Sequence, residues 1–242
     1  FELSVEGILI GGPGAAAIPA HHVLKAKLEG LGVCDIRVTE QTSAGARAEF
    51  VSPDTAFKDK IEDKVWSIHD ENTEFVTRAM EAGDAVTKIF ESAITRCEIS
   101  MEDLFDENYV EIEGSNPVQY RTRFLDWADR AFPALQESCV ARDQRLAFCV
   151  LVDRHGYLPV HNKIYSQPQR AGDVAWNTAH SRNRRIFNDV AGLAAGRNTR
   201  SYLIQSYARD MGNGVTVLMR EIDVPIRVRS RHWGGFRFAY KI

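Results

Sequence analysis

The chain has 242 residues, 44% of them hydrophobic and 10% aromatic, which is apolar mass for one large or two modest globular domains. A charged fraction of 26% excludes a disordered chain, and the longest apolar runs, such as residues 147–152, are strand-sized, which excludes a membrane-spanning helix. The net charge of −3 hides an asymmetry: residues 1–120 carry 10 Lys+Arg against 23 Asp+Glu, and residues 121–242 carry 20 against 10, with 18 of those 20 arginine. An arginine-rich half attracts planar oxyanions with bidentate geometry, while scattered pairing with the acidic half is the plainer alternative. No Lys-rich stripe or binding motif accompanies the charge, so nucleic acid is not an expected partner.

In chain order, residues 1–5 and 8–10 alternate as strands and run into Gly11-Gly12-Pro13-Gly14. That run lacks the Lys-Ser/Thr of a P-loop and the spacing of a dinucleotide fingerprint, so a tight turn is expected there. A helix over residues 19–31 with Pro19 in its first turn, then strands over 35–39 and 46–51, complete a small β-α-β-β segment of residues 1–52 with no assigned role. Residues 53–98 form a long helix. Val65, Ile68, Asn72, Phe75, Ala79, Ala82, Val86, Ile89 and Ala93 follow spacings of three and four, the seam of a coiled coil held for about four heptads, with Asn72 at a position that fixes register. Phe90 and Ile94 widen the apolar face, so the same helix is also expected to pack on its own domain. Ser100 and Asp103 have the spacing of a helix-capping box, and residues 121–137 are helical with an interruption at Pro133.

From residue 147 the texture is β-rich. Residues 147–152 are a strand, Asp153-Arg154-His155-Gly156 a turn, and 157–161 the returning hairpin strand. Polar and helical residues 167–189 follow, anchored by Trp176, Ala179, Ile186 and Phe187. Further strands cover 202–208, 215–221, 225–228 and 236–240, with a hairpin turn at Met211-Gly212-Asn213-Gly214, where Asn-Gly accepts positive φ. The expected fold class is α+β, an antiparallel sheet with a helical cap over residues 99–242, preceded by the long coiled-coil-type helix. Two strands, intervening helices and then a run of antiparallel strands have the topology of a PAS or Cache sensor domain.

The binding candidates lie in this last segment. Arg182, Arg184 and Arg185 fall within one expected helical turn, so one or two of them face the cup as carboxylate clamps and the rest pair outside. His161 and Asn162 end the second strand, where side chains turn into the cup. A structural hydrogen bond by His161 competes with that role. Alternation puts Tyr207 and Arg209 on one strand face. Trp233, next to Gly234-Gly235, can wall the cup and offer its N–H, with a core role as the stronger alternative. His155, His161, His180 and His232 are placed to converge on a metal or non-covalent haem, but no cofactor is favoured and no metal site is assigned. The four cysteines are widely spaced, with no Cys-x-x-Cys. Cys97 and Cys149 read as small buried hydrophobes. There is no Gly-x-Ser-x-Gly, His-Glu-x-x-His or Walker motif, so a non-enzymatic role is expected.

The segment Val152-Asp153-Arg154-His155-Gly156-Tyr157-Leu158-Pro159-Val160-His161-Asn162, together with Ser181-Arg182-Asn183-Arg184-Arg185-Ile186-Phe187-Asn188-Asp189 and Arg231-His232-Trp233-Gly234-Gly235, resembles a sensor region of bacterial methyl-accepting chemotaxis proteins. Asp103-Leu104-Phe105-Asp106 and Tyr109 fit the same region, and the resemblance covers about residue 70 to 242. It implies a PAS/Cache-like module that binds a small polar or anionic ligand and signals through a dimeric helix, with a chemotaxis signalling module in the same longer chain. Two alternatives stand beside it: a haem- or metal-binding redox or gas sensor, and a structural dimerisation domain without a ligand. The start at Phe1 reads as an excision from a longer protein. Free thiols and the lack of a targeting signal favour the cytoplasm, with an extracytoplasmic receptor region as the alternative.

Overall fold

A computed structural model describes residues 2–11, 18–42 and 45–241. It has a mixed α and β fold with antiparallel sheets and, among the described residues, six α-helices. Two compact units divide between Glu74 and Phe75, inside the long helix α1 (Thr55–Thr95). No described helix is long and apolar enough to cross a membrane.

In the first unit, β1 (Glu2–Leu3), β2 (Gly7–Ile10), β3 (Val23–Leu28), β4 (Gly32–Thr42) and β5 (Gly45–Val51) form one sheet in the order β1-β2-β5-β4-β3. Ile8, Ile36, Val38, Ala46 and Ala48 make its core with Phe57 and Ile61 from the start of α1. The helix expected over residues 19–31 is instead β3. Lys25-Ala26-Lys27-Leu28 alternates with period two, which puts Ala26 and Leu28 against the core, and pairing with β4 through Gly30 (φ 76°) and Gly32 (φ 119°) outweighs the helix propensity of Leu, Ala and Lys. Gly12 to Gly14 of the glycine-rich turn lie outside the described residues.

The second unit is built on a four-stranded antiparallel sheet. It comprises β8 (Leu146–Asp153), β11 (Leu203–Asp210), β12 (Thr216–Val228) and β13 (Arg231–Lys241), in the order β11-β12-β13-β8. Around it lie α2 (Met101–Leu104), two strand pairs β6 (Val110–Glu111) with β7 (Tyr120–Arg121) and β9 (Tyr157–Leu158) with β10 (Arg185–Ile186), and the helices α3 (Leu125–Ala131), α4 (Pro133–Ala141), α5 (Val174–His180) and α6 (Val190–Arg197). Alternation gives the sheet two different faces. One face carries Ile222, Val224, Ile226, Phe236, Phe238 and Tyr240 and packs on Phe75, Ala79, Ala82, Val86, Phe90 and Ala93 of α1. The seam of α1 from Phe75 onward is therefore used within its own unit. Phe90 lies 5.0 Å from the Trp233 ring and 5.1 Å from Phe132. The other face carries Phe148, Tyr207, Arg209, Met219, Glu221 and Arg237, and the chain from Leu158 to Ala191 covers part of it.

Three local expectations change. The strand at Tyr157 does not return along β8 but pairs with β10. The Asp153 carboxylate accepts from the N–H groups of His155 and Tyr157 (2.8 and 2.9 Å), so the turn carries the chain off the sheet. Arg182, Arg184 and Arg185 are not on a helix, because α5 ends at His180 and Arg184 adopts φ 62°. Cys97 is exposed at φ 58°, past the end of α1, whereas Cys149 is buried. The Ser100 cap on α2 and the Gly212-Asn213-Gly214 turn, with positive φ at all three residues, form as expected.

Candidate functional site

A cavity of about 490 Å³ lies on the second face of the sheet. Phe148 of β8, Tyr207 and Arg209 of β11 and Arg237 of β13 form one side. Leu158, His161, Thr178, Arg182, Arg185, Phe187 and Ala191 close the other, with Asp189 and Asp210 exposed at the rim. Five of the eight expected residues thus meet: His161, Arg182, Arg185, Tyr207 and Arg209.

The arginines differ in how their charge is met. Arg237, 4% exposed, is held by two hydrogen bonds to Glu221 (2.8 and 3.0 Å) and lies 3.9 Å from Asp223. Burial works against its charge, but Glu221, Tyr207 and Asp223 outweigh that and hold the guanidinium firmly protonated. Burial and then the neighbouring Glu221 push the Asp223 carboxyl well above the usual carboxylate range. Among the described residues Arg182 donates only to neutral carbonyls, those of Thr178 and Asp210 (both 2.9 Å), and burial and then Arg209 push it down to about 9.

Arg209 is 3% exposed, and among the described residues it makes no hydrogen bond or ion pair; its Nη2 is buried without a partner. It rests on aromatic faces, 4.5 Å from the Phe148 centroid and 4.2 Å from Tyr165. Burial pulls it below the ordinary arginine value. Arg185 is alike: its Nη1 is buried and unpartnered, and its guanidinium sits 5.1 Å from the Phe187 centroid, with Arg182 5.2 Å from the same ring. A buried charge without a counter-charge costs several kcal/mol, and Arg182 and Arg209 are buried at this cavity with no carboxylate of the described residues in hydrogen-bond reach, while Arg185 is partly buried and feels Asp210.

His161 lines the cavity as a neutral donor. Its Nδ1 accepts the Asn162 N–H at 2.8 Å, which leaves the proton on Nε2. Burial, then Arg209 and Arg182, hold its imidazole well below the ordinary value. Tyr207 donates to Glu221 at 3.0 Å.

Asn162, Arg184 and Trp233 are not cavity residues. The Asn162 amide accepts from the Cys149 N–H (2.8 Å) and donates to the Gln136 carbonyl (3.1 Å), which seals the open edge of β8. Arg184, at positive φ just before β10, pairs with Asp129 at 2.8 Å instead of lining the cavity. Trp233 is buried in the core on the other face and donates to the Leu104 carbonyl at 3.0 Å. Gly235 beside it makes room for α6 rather than for a ligand: a Cβ there would lie 2.4 Å from the Ala195 carbonyl oxygen.

The four histidines have separate partners. His155 lies beside Glu107, His180 stacks on Trp176, His232 meets the Gly196 carbonyl, and His161 faces the cavity. Among the described residues no group of three or more His, Cys, Asp or Glu is placed to hold a metal ion. Sequence reasoning missed Arg237, Phe148 and the Glu221–Asp223 pair. Arg237 between Phe236 and Phe238, and acids two apart on β12, were the available signal: charges inside apolar strands, on one face, in register across the pair Asp223 and Arg237. No protein-family model matches the chain, and no curated protein is significantly similar to it.

Proposed function

We propose that this chain is a non-enzymatic, ligand-sensing domain of a bacterial chemoreceptor, with a PAS/Cache-like second unit that takes a small anion in the arginine-lined cavity. The observation that carries the reading is Arg209, buried in a cavity beside Arg182 and Arg185 and, among the described residues, without a hydrogen bond or ion pair. A structural domain without a ligand gains nothing from such a cluster, because well-packed apolar residues in its place are as stable or more so. The layout also supports signalling. The ligand side and α1 lie on opposite faces of one sheet, so a shift of β13 on filling the cavity is felt by Phe236 and Phe238 against α1. In this reading α1 joins two copies of the chain, and a chemotaxis signalling module shares the longer polypeptide.

Native mass spectrometry of the purified chain, with an absorption spectrum of the same sample, tests the proposal. A bound mass that leaves on denaturation, or binding of an added organic anion with a raised melting temperature, is expected. A Soret band would replace the anion reading with a haem sensor. A protein that binds no anion would remove the sensing role.

A further inference from the structure

Resting on that sensing role, we infer that the ligand is a dianion carried on an apolar body, whether its charge comes from two carboxylates or from one phosphate monoester. The first ground is charge. Arg237 is already neutralised by Glu221, which leaves Arg182, Arg185 and Arg209 as the other cations of the cavity. Of the two exposed acids at the rim, Asp189 caps α6 through the Gly192 N–H (2.8 Å), and Asp210, which accepts from the Gly212 N–H (2.8 Å), attracts Arg185 without an ion pair and leaves Arg182 and Arg209 to the ligand. A single carboxylate takes one guanidinium in bidentate fashion and would leave the other buried charge nearly as costly as before.

The second ground is placement. Arg182 and Arg185 share the Phe187 ring, while Arg209 sits on Phe148 and Tyr165, so the cationic donors are presented from two aromatic supports. Two anionic oxygen groups, or one phosphate with its oxygens spread, meet both. The third ground is size and lining. About 490 Å³ lies in the range of about 300–1,000 Å³ that holds drug-sized ligands. Phe148, Leu158, Phe187 and Ala191 give the cavity apolar walls that a bare inorganic anion would leave wet.

Isothermal titration of the whole chain at about pH 8, above the second phosphate ionisation near 6, separates these features with five probes: phthalate, phenyl phosphate, benzoate, succinate and inorganic phosphate. Phthalate or phenyl phosphate is expected to bind at least about tenfold more tightly than benzoate, and by a similar margin over succinate and inorganic phosphate. Whichever aryl dianion wins identifies the source of the charge. A preference over benzoate of less than about tenfold overturns the dianion and leaves an anion sensor standing. Succinate or inorganic phosphate matching the aryl probes overturns the apolar body. Silence from all five at about 10 mM, where a Kd near 1 mM still registers, removes the anion reading itself together with this inference. As a second line, Arg209→Met should remain folded and bring the better aryl dianion down to the affinity of benzoate. An unchanged dianion affinity in that variant overturns the assignment.

Discussion

Arg209 and Arg237 carry the same charge at the same depth, 3% and 4% exposed, yet their removal should move stability in opposite directions. Arg237→Met strips Glu221 and Asp223 of their counter-charge and is expected to cost about 3–5 kcal/mol in urea unfolding, the penalty for breaking a buried ion pair. Arg209→Met deletes a buried charge that, among the described residues, no hydrogen bond or ion pair answers, so the ligand-free chain should unfold at an equal or higher urea concentration. A clear fall would mean that its contacts with Phe148 and Tyr165 outweigh its desolvation. His161 sets a pH dependence. Below about 6.5 the unfolded chain takes up a proton on this residue while the folded chain, with the imidazole held far lower, does not. Stability therefore falls on acidification, with a slope of up to about 1.4 kcal/mol per pH unit from this group. His161→Gln should flatten the unfolding free energy by that amount between about pH 5 and 6.5, and an unaltered profile would show that the ring titrates normally. At this scale the sequence was informative where period two operates, as for Tyr207 with Arg209. It failed at Arg184, because its positive φ is imposed by backbone bonds to Leu158 and Pro159 that no local pattern announces.

Elements were legible where one periodicity dominated. The apolar run of β8, the Asn-Gly hairpin of β11 and β12, the Ser100 cap and the three-four spacing of α1 each leave a single economical solution. Residues 23–28 were not legible, because Lys-Ala-Lys-Leu satisfies helix propensity and strand alternation at once, and only the neighbouring β4 decides. The hairpin expected after β8 failed for a similar reason: its edge is sealed by a side chain, the Asn162 amide, rather than by a strand. Asn162→Ala should therefore orphan the buried Cys149 N–H and cost about 1–3 kcal/mol, measured by chemical unfolding. Binding of an aryl anion should change little, since the amide does not line the cavity. A binding loss as large as that of Arg209→Met would return Asn162 to the ligand.

Across the whole molecule, α1 supplies residues to the cores of both units, Phe57 and Ile61 to the first and Phe75 to Ala93 to the second. If the helix also joins two copies, the part before Phe75 is the place for it, where Trp66 is 63% exposed. Asn72→Val should then alter the sedimentation profile, tightening or scrambling self-association, and an unchanged profile would remove Asn72 from any seam. Amide hydrogen exchange gives a second check, because an anion bound beside Arg237 should slow exchange along β13 and also in residues 75–95 across the sheet. Protection confined to the cavity side would break the proposed signalling route. The unanswered charge of the second unit has a further consequence, for lifetime. Mass action makes a ligand a partner in folding, adding about 2.7 kcal/mol at a hundred times its Kd. An empty receptor is thus the one that opens to proteases, and a filled one endures. Digestion of the chain with and without phthalate should show it, the half-life lengthening as occupancy rises, so that exposure to the ligand is written into how many copies survive as well as into what each one signals.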